Sequence, residues 1–217
     1  MSLPTNNYRL FNRTFLNSVR WFFSYQTNED LFVERFRSIM ESLGYQSGSI
    51  EPKAIMMKKS GLSIVANGQL LLLNCSADSY KGFEVLRKEL RDIFSVLEKL
   101  GITELINVTC SKENVYTVNK DLIKKPLTEA LMVNSLFKGE LLKNPIYVDS
   151  RDNLHVVANR TYTDSLLEAK MQLVVSVFVS YNSSLSFVWD KLDEIDKVSF
   201  DAFVSVISDG LISVMEK

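Results

Sequence analysis

The chain is short of the residues on which most hydrolytic and metal chemistry depends. Its 217 residues include one histidine, His155, and two cysteines, Cys75 and Cys110. No zinc site of paired His or Cys/His spacing can be drawn from that set, so no metal is expected. A Ser-His-Asp or Cys-His nucleophile would have to use His155, and no Gly-x-Ser-x-Gly elbow supplies a partner serine. Eight glycines stand singly at turns and helix ends. Neither the Gly-x-Gly-x-x-Gly fingerprint nor the Walker pattern occurs, and no cofactor is expected. No catalytic residue can be named.

Charge of one sign is lacking as well. The 25 basic and 26 acidic residues leave a formal net charge of -1, which gives no overall field to draw nucleic acid or an anionic membrane. Arg87, Lys88 and Arg91 are interleaved with Glu84, Glu89 and Asp92, the pattern of a solvated helix face. The start, MSLPTNNYRLFNRTF, has no apolar run of a secretory kind, and no window approaches the eighteen or so apolar residues of a membrane span. The expectation is a soluble, cytoplasmic protein that binds neither nucleic acid nor membrane. In a reducing compartment Cys75 and Cys110, both in apolar strand-like surroundings, serve as small buried hydrophobes.

What the chain does have is periodicity. From Asp78 to Gly101 the residues Phe83, Leu86, Leu90, Ile93, Phe94, Leu97 and Leu100 recur at three- and four-residue steps, which predicts an amphipathic helix. Asp78 or Ser79 is the expected cap, and Gly101 the terminator. Before it, the odd positions from Phe15 to Tyr25 predict a half-buried strand. A helix capped by Thr27 or Asn28 then buries Phe32, Phe36, Ile39, Met40 and Leu43 and stops at Gly44. Tyr45 to Pro52 reads as loop. Strands over 54–58, 62–66 and 69–75 follow, separated by Ser60-Gly61 and Asn67-Gly68. Asn-Gly is the strongest short hairpin signal because a type I′ turn needs positive φ at both central residues. That turn predicts Ala66 opposite Gln69 and Ile64 opposite Leu71, with Leu62, Ile64, Leu71 and Leu73 facing the central helix.

After Gly101 the pattern predicts a strand over 102–110, a polar stretch and a short helix from Pro126 to Gly139. A hairpin over 146–162, a long strand over 169–181 and a helix from about Ser199 complete the chain. The order is β-α-β-β-β-α twice, in halves 1–101 and 102–217, without a residue-level repeat; they form two domains or one compact one. Hairpins dominate the strand connections, so the fold class is α+β, a mostly antiparallel sheet with helices on one face.

Such a sheet has a second face, which would present Ser18, Arg20, Ser24, Gln172, Ser176, His155 and Asn159. Arg20, His155 and Asn159 are the candidate ligand-binding residues, with Arg20 as the anion contact. The plainer role of His155 is a strand histidine on the polar side, in phase with Asn159. Asp190, Asp193, Glu194, Asp196 and Asp201 lack the spacing of a calcium loop and are expected to charge the start of the last helix.

The tandem strand-helix-strand-strand order resembles the paired modules of GyrI-like effector-binding domains, which implies a small ligand held in a cleft between two halves. Leu173 to Met215, with the DKLDEID segment, resembles a sporadically distributed bacterial family of unknown function, which implies no activity. The functional expectation is a non-catalytic module that binds a small ligand or a protein partner. The alternatives are an assembly protein forming a homo-oligomer through a sheet edge, and a histidine-independent enzyme using carboxylates or tyrosines.

Overall fold

The computed structural model describes residues 16–27, 31–51, 53–119, 147–151, 153–164, 170–181 and 185–206. In chain order the elements are β1 (Leu16–Tyr25), α1 (Phe32–Ser42), β2 (Gln46–Glu51), β3 (Ala54–Lys59), β4 (Leu62–Asn67), β5 (Leu70–Ser76) and α2 (Phe83–Lys99). These are followed by β6 (Leu105–Asn119), β7 (Tyr147–Arg151), β8 (Leu154–Asp164), β9 (Lys170–Tyr181) and α3 (Leu185–Val206). The class is α+β, and β1–β5, β2–β3, β3–β4, β4–β5 and β7–β8 all pair antiparallel.

Two compact units are present. The first comprises Ser18–Ser111 and Ser180–Asp196; the second comprises Met1–Asn17, Lys112–Val179 and Lys197–Lys217. The first unit orders its strands β2-β3-β4-β5-β1-β6, and the second β6-β9-β8-β7. One connectivity recurs. After β1 and after β6 alike, the last strand of the run returns to lie beside the first, as β5 beside β1 and β9 beside β6, and the earlier strands follow outward in reverse. The segment expected to be a helix from Pro126 to Gly139 lies outside the described residues.

The core of the first unit is an aromatic seam. Val19, Trp21, Phe23 and Tyr25 alternate inward along β1. Trp21 stacks on Phe83 of α2 with ring centroids 5.7 Å apart, and Phe23 meets Phe94 edge-on at 4.8 Å. Tyr25 lies 6.1 Å from Phe32 of α1, which stacks on Phe36 at 5.4 Å. Offset and edge-on pairs of this kind add about 0.5–1.5 kcal/mol each beyond their buried area. The whole expected stripe of α2 is buried, joined by Val96. Helix α1 packs on β2, β3 and β4, so it shares the hairpin face that was expected to receive α2.

Several local expectations fail for identifiable reasons. Helix α2 is capped by Gly82 with no side-chain bond, while Ala77–Ser79 form a single 3-10 turn. Ser79 is engaged elsewhere, hydrogen-bonded to Ser76 Oγ at 3.2 Å. Helix α1 starts at Phe32 with Leu31 at its cap and no side-chain bond; residues 28–30 lie outside the described residues. The loop expected over 45–52 contains β2, an edge strand whose register shifts between Ser47 and Ile50. The bulge destroys the two-residue period that would have announced it. The polar stretch after Cys110 continues as β6 to Asn119.

Helix α3 begins at Leu185, well before Ser199, so the acidic cluster lies inside it rather than at its start. Leu192, Ile195, Ala202 and Phe203 are buried, and so are Asp196 and Ser199 on the same stripe. Two polar residues in core positions hid the helical period. Asp193 pairs with Arg87 of α2 at 3.1 Å, and Glu194 with Lys191 at 2.6 Å. Arg87 is therefore not a merely solvated residue.

The left-handed turn expected at Asn67-Gly68 occurs instead at Ser60-Gly61. Ser60 and Gly61 have φ of 46° and 79°, so the turn with two left-handed residues joins β3 to β4. At Asn67-Gly68 the register pairs Ile64 with Leu73 and Ala66 with Leu71, and Gly68 is not among the residues with positive φ. Instead Asn67 Oδ1 accepts the backbone N–H groups of Gln69 and Leu70, both at 2.8 Å, the side-chain mimic of a turn. The register differs from the expected one by two residues. An even slip keeps side chains on the same face, so Leu62, Ile64, Leu71 and Leu73 all point inward as anticipated.

Candidate functional site

The outward face of the first unit is built from the same strands by the alternate residues. Strand register fixes which of them are neighbours. One row crosses four strands as Phe22, Leu72, Val65 and Met56, each directly opposite the next. All four are partly exposed. Strands lie about 4.8 Å apart, so the row spans about 14 Å.

A second row, two residues along each strand, reads Arg20, Asn74, Ser63, Lys58 and Gln46. Arg20 and Lys58 are exposed, and Arg20 Nε donates to Asn74 Oδ1 at 3.3 Å. A third row contains Ser24, Leu70, Asn67 and Ala54. This face is mixed, whereas the sequence pattern promised a hydrophilic one. The signal was present in Leu70–Leu73, an unbroken apolar run that supplies both faces rather than one. Ser18 also departs from expectation, since it is only 6% exposed and its Oγ has no hydrogen-bond partner.

His155 and Asn159 belong to the second unit, on β8. Leu154, Val156 and Ala158 are buried there, which puts His155, Val157 and Asn159 on the opposite side of the strand. His155 is exposed and opposite Ser150. Four residues of extended chain separate His155 from Asn159 by about 13 Å, with Val157 between them, so they do not share one small group. Arg20 stands in the first unit.

A polar cluster lies at the other end of β3. The Tyr45 hydroxyl donates to Glu89 Oε2 at 2.8 Å, and Lys59 Nζ lies 3.2 Å from the same oxygen. Lys59 also sits 4.9 Å from the centre of the Tyr45 ring. Burial, then the hydrogen bond to Glu89, push the Tyr45 phenol well above its ordinary range. It holds its proton and is a poor acid. The cluster ties the chain leaving α1 to β3 and α2, beside an open depression of about 400 Å³ lined by Gln46, Lys58, Ser60 and Ser63 among others. Burial likewise raises the Cys75 thiol, which reduces its nucleophilic form. Among the described residues no group of three or more His, Cys, Asp or Glu is placed to hold a metal ion. Nor is any described helix long and apolar enough to cross a membrane.

No protein-family model matches the chain, and no curated protein matches it significantly. Among solved structures, the ligand-free regulatory subunit of aspartate kinase from Thermus thermophilus is similar over 87% of this chain and 93% of that one. The identity is 12% and the TM-score 0.25. A likeness at that level carries no conclusion about fold or activity.

Proposed function

We propose that this protein is a non-catalytic binding module, and that it recognises a protein partner through the outer face of its first unit. The observation that carries this reading is the row Phe22, Leu72, Val65 and Met56, four apolar side chains in cross-strand register and partly exposed. Contiguous exposed apolar surface on a folded domain marks an interaction site far more often than scattered single residues do. A small-ligand role is less well supported, because the depression beside Lys58 is open and only about half apolar, where ligand pockets are concave and mostly apolar.

An anionic hydrophobic dye such as anilinonaphthalene sulfonate tests the accessibility of the row. The native protein should enhance its fluorescence, and Leu72→Asp should lower that enhancement several-fold with circular dichroism unchanged. Equal enhancement by the folded wild type and the folded variant would refute the proposed face.

A further inference from the structure

The outer face of the first unit carries a charge pattern that narrows the chemistry of its partner, provided that this face is the binding surface proposed for it. Within the apolar row and the row of Arg20 the ionic side chains are Arg20 and Lys58, both positive and both exposed, while the third row continues beyond Ala54 to Glu51 on β2. They stand at the β1 and β3 ends of one row, about 14 Å apart by strand spacing, with the neutral Asn74 and Ser63 between them. The apolar row runs alongside. The face therefore offers a greasy strip bordered by a strip with a cation near each end.

We infer that the partner is an amphipathic helix whose apolar stripe is edged on one flank by carboxylates. Three turns of helix cover about 16 Å, which matches the span from Arg20 to Lys58 within the reach of those two side chains. Apolar residues at i, i+3, i+4 and i+7 would seat on Phe22, Leu72, Val65 and Met56, the groove-binding mode of helical peptides. Glu or Asp on the flank would meet Arg20, whose Nε is already held by Asn74, and Lys58. A helix with basic flanks would set like charges against both cations. A nucleic acid could use the cations but has no stripe for the apolar row.

Three synthetic helices of about 16 residues, sharing one leucine stripe and differing only in Glu, Gln or Lys flanks, provide the test by fluorescence anisotropy against the whole protein. The Glu-flanked peptide should bind about tenfold tighter than the Lys-flanked one at low salt, with the Gln-flanked peptide between them. The doubly substituted Arg20→Glu/Lys58→Glu protein, altered only at exposed positions, should reverse that order. Leu72→Asp should abolish binding of all three. Equal affinity for the three flanks, or an order that the charge reversal leaves unchanged, would overturn the acidic helix while leaving the dye result and the apolar face standing. Failure of all three peptides to bind would overturn it as well. So would reversible self-association of the wild type that Leu72→Asp abolishes, because the occupant would then be a second copy.

Discussion

Strand β5 holds four consecutive leucines, and the two faces of its sheet put them to different uses. Leu71 and Leu73 are wholly buried beneath the helices, while Leu70 and Leu72 remain partly exposed on the other side. The residue type is the same; the pleat alone assigns one pair to the core and the other to the outer surface. Composition cannot separate the two roles. Neighbours across the sheet can, because Leu73 stands opposite Trp21 and Ile64, and Leu72 opposite Phe22 and Val65.

The largest effect should come from truncating the inner pair. Leu73→Ala is expected to lower the unfolding free energy by about 2–5 kcal/mol through lost burial and a residual cavity. Leu72→Ala should cost less than about 1 kcal/mol. Urea denaturation of both variants measures the contrast, and equal costs would dissolve it.

The next effect concerns the turns that hold the faces in register. A methyl group on Gly61 would need positive φ and would stand 2.5 Å from Ser79 Cβ, whereas one on Gly68 would make only an ordinary 3.6 Å contact with Thr27. Gly61→Ala should therefore destabilise by about 1–3 kcal/mol and Gly68→Ala by well under about 1 kcal/mol. Part of the first loss should return in Gly61→Ala/Ser79→Gly, read from the denaturation midpoints.

The smallest effect is electrostatic and lies on α3. Burial raises the Asp201 carboxyl above its ordinary value of 3.8, with Lys197 pulling the other way. A raised carboxyl favours the fold below pH 3.8 and withdraws that support as pH climbs through its folded value. Asp201→Asn should then melt slightly higher than wild type near neutral pH, and the difference should vanish in acid. A variant less stable at neutral pH would contradict that sign.

Much of this arrangement was legible in the chain. The inward residues of β1, the stripe of α2 and the hairpin of β7 and β8 follow from periods of two and three to four residues, and the structure places them so. The start of α3 was not legible because Asp196 and Ser199 occupy buried positions, and β2 was not because a bulge erased its alternation. Arg20 was singled out as an outward cation. Its row-mates Asn74, Ser63 and Lys58, and the apolar row beside them, were not, since their adjacency depends on the register of four strands at once.

By itself the sequence determined which residues seek the interior, because hydrophobic burial acts on each side chain and leaves its period in the chain. It determined equally that histidine and cysteine chemistry would be scarce. Only the tertiary structure decided which outward residues stand together. That outcome depends on hydrogen-bond register between strands far apart in the chain, as Arg20 and Asn74 are at a separation of 54 residues, and no local pattern encodes it.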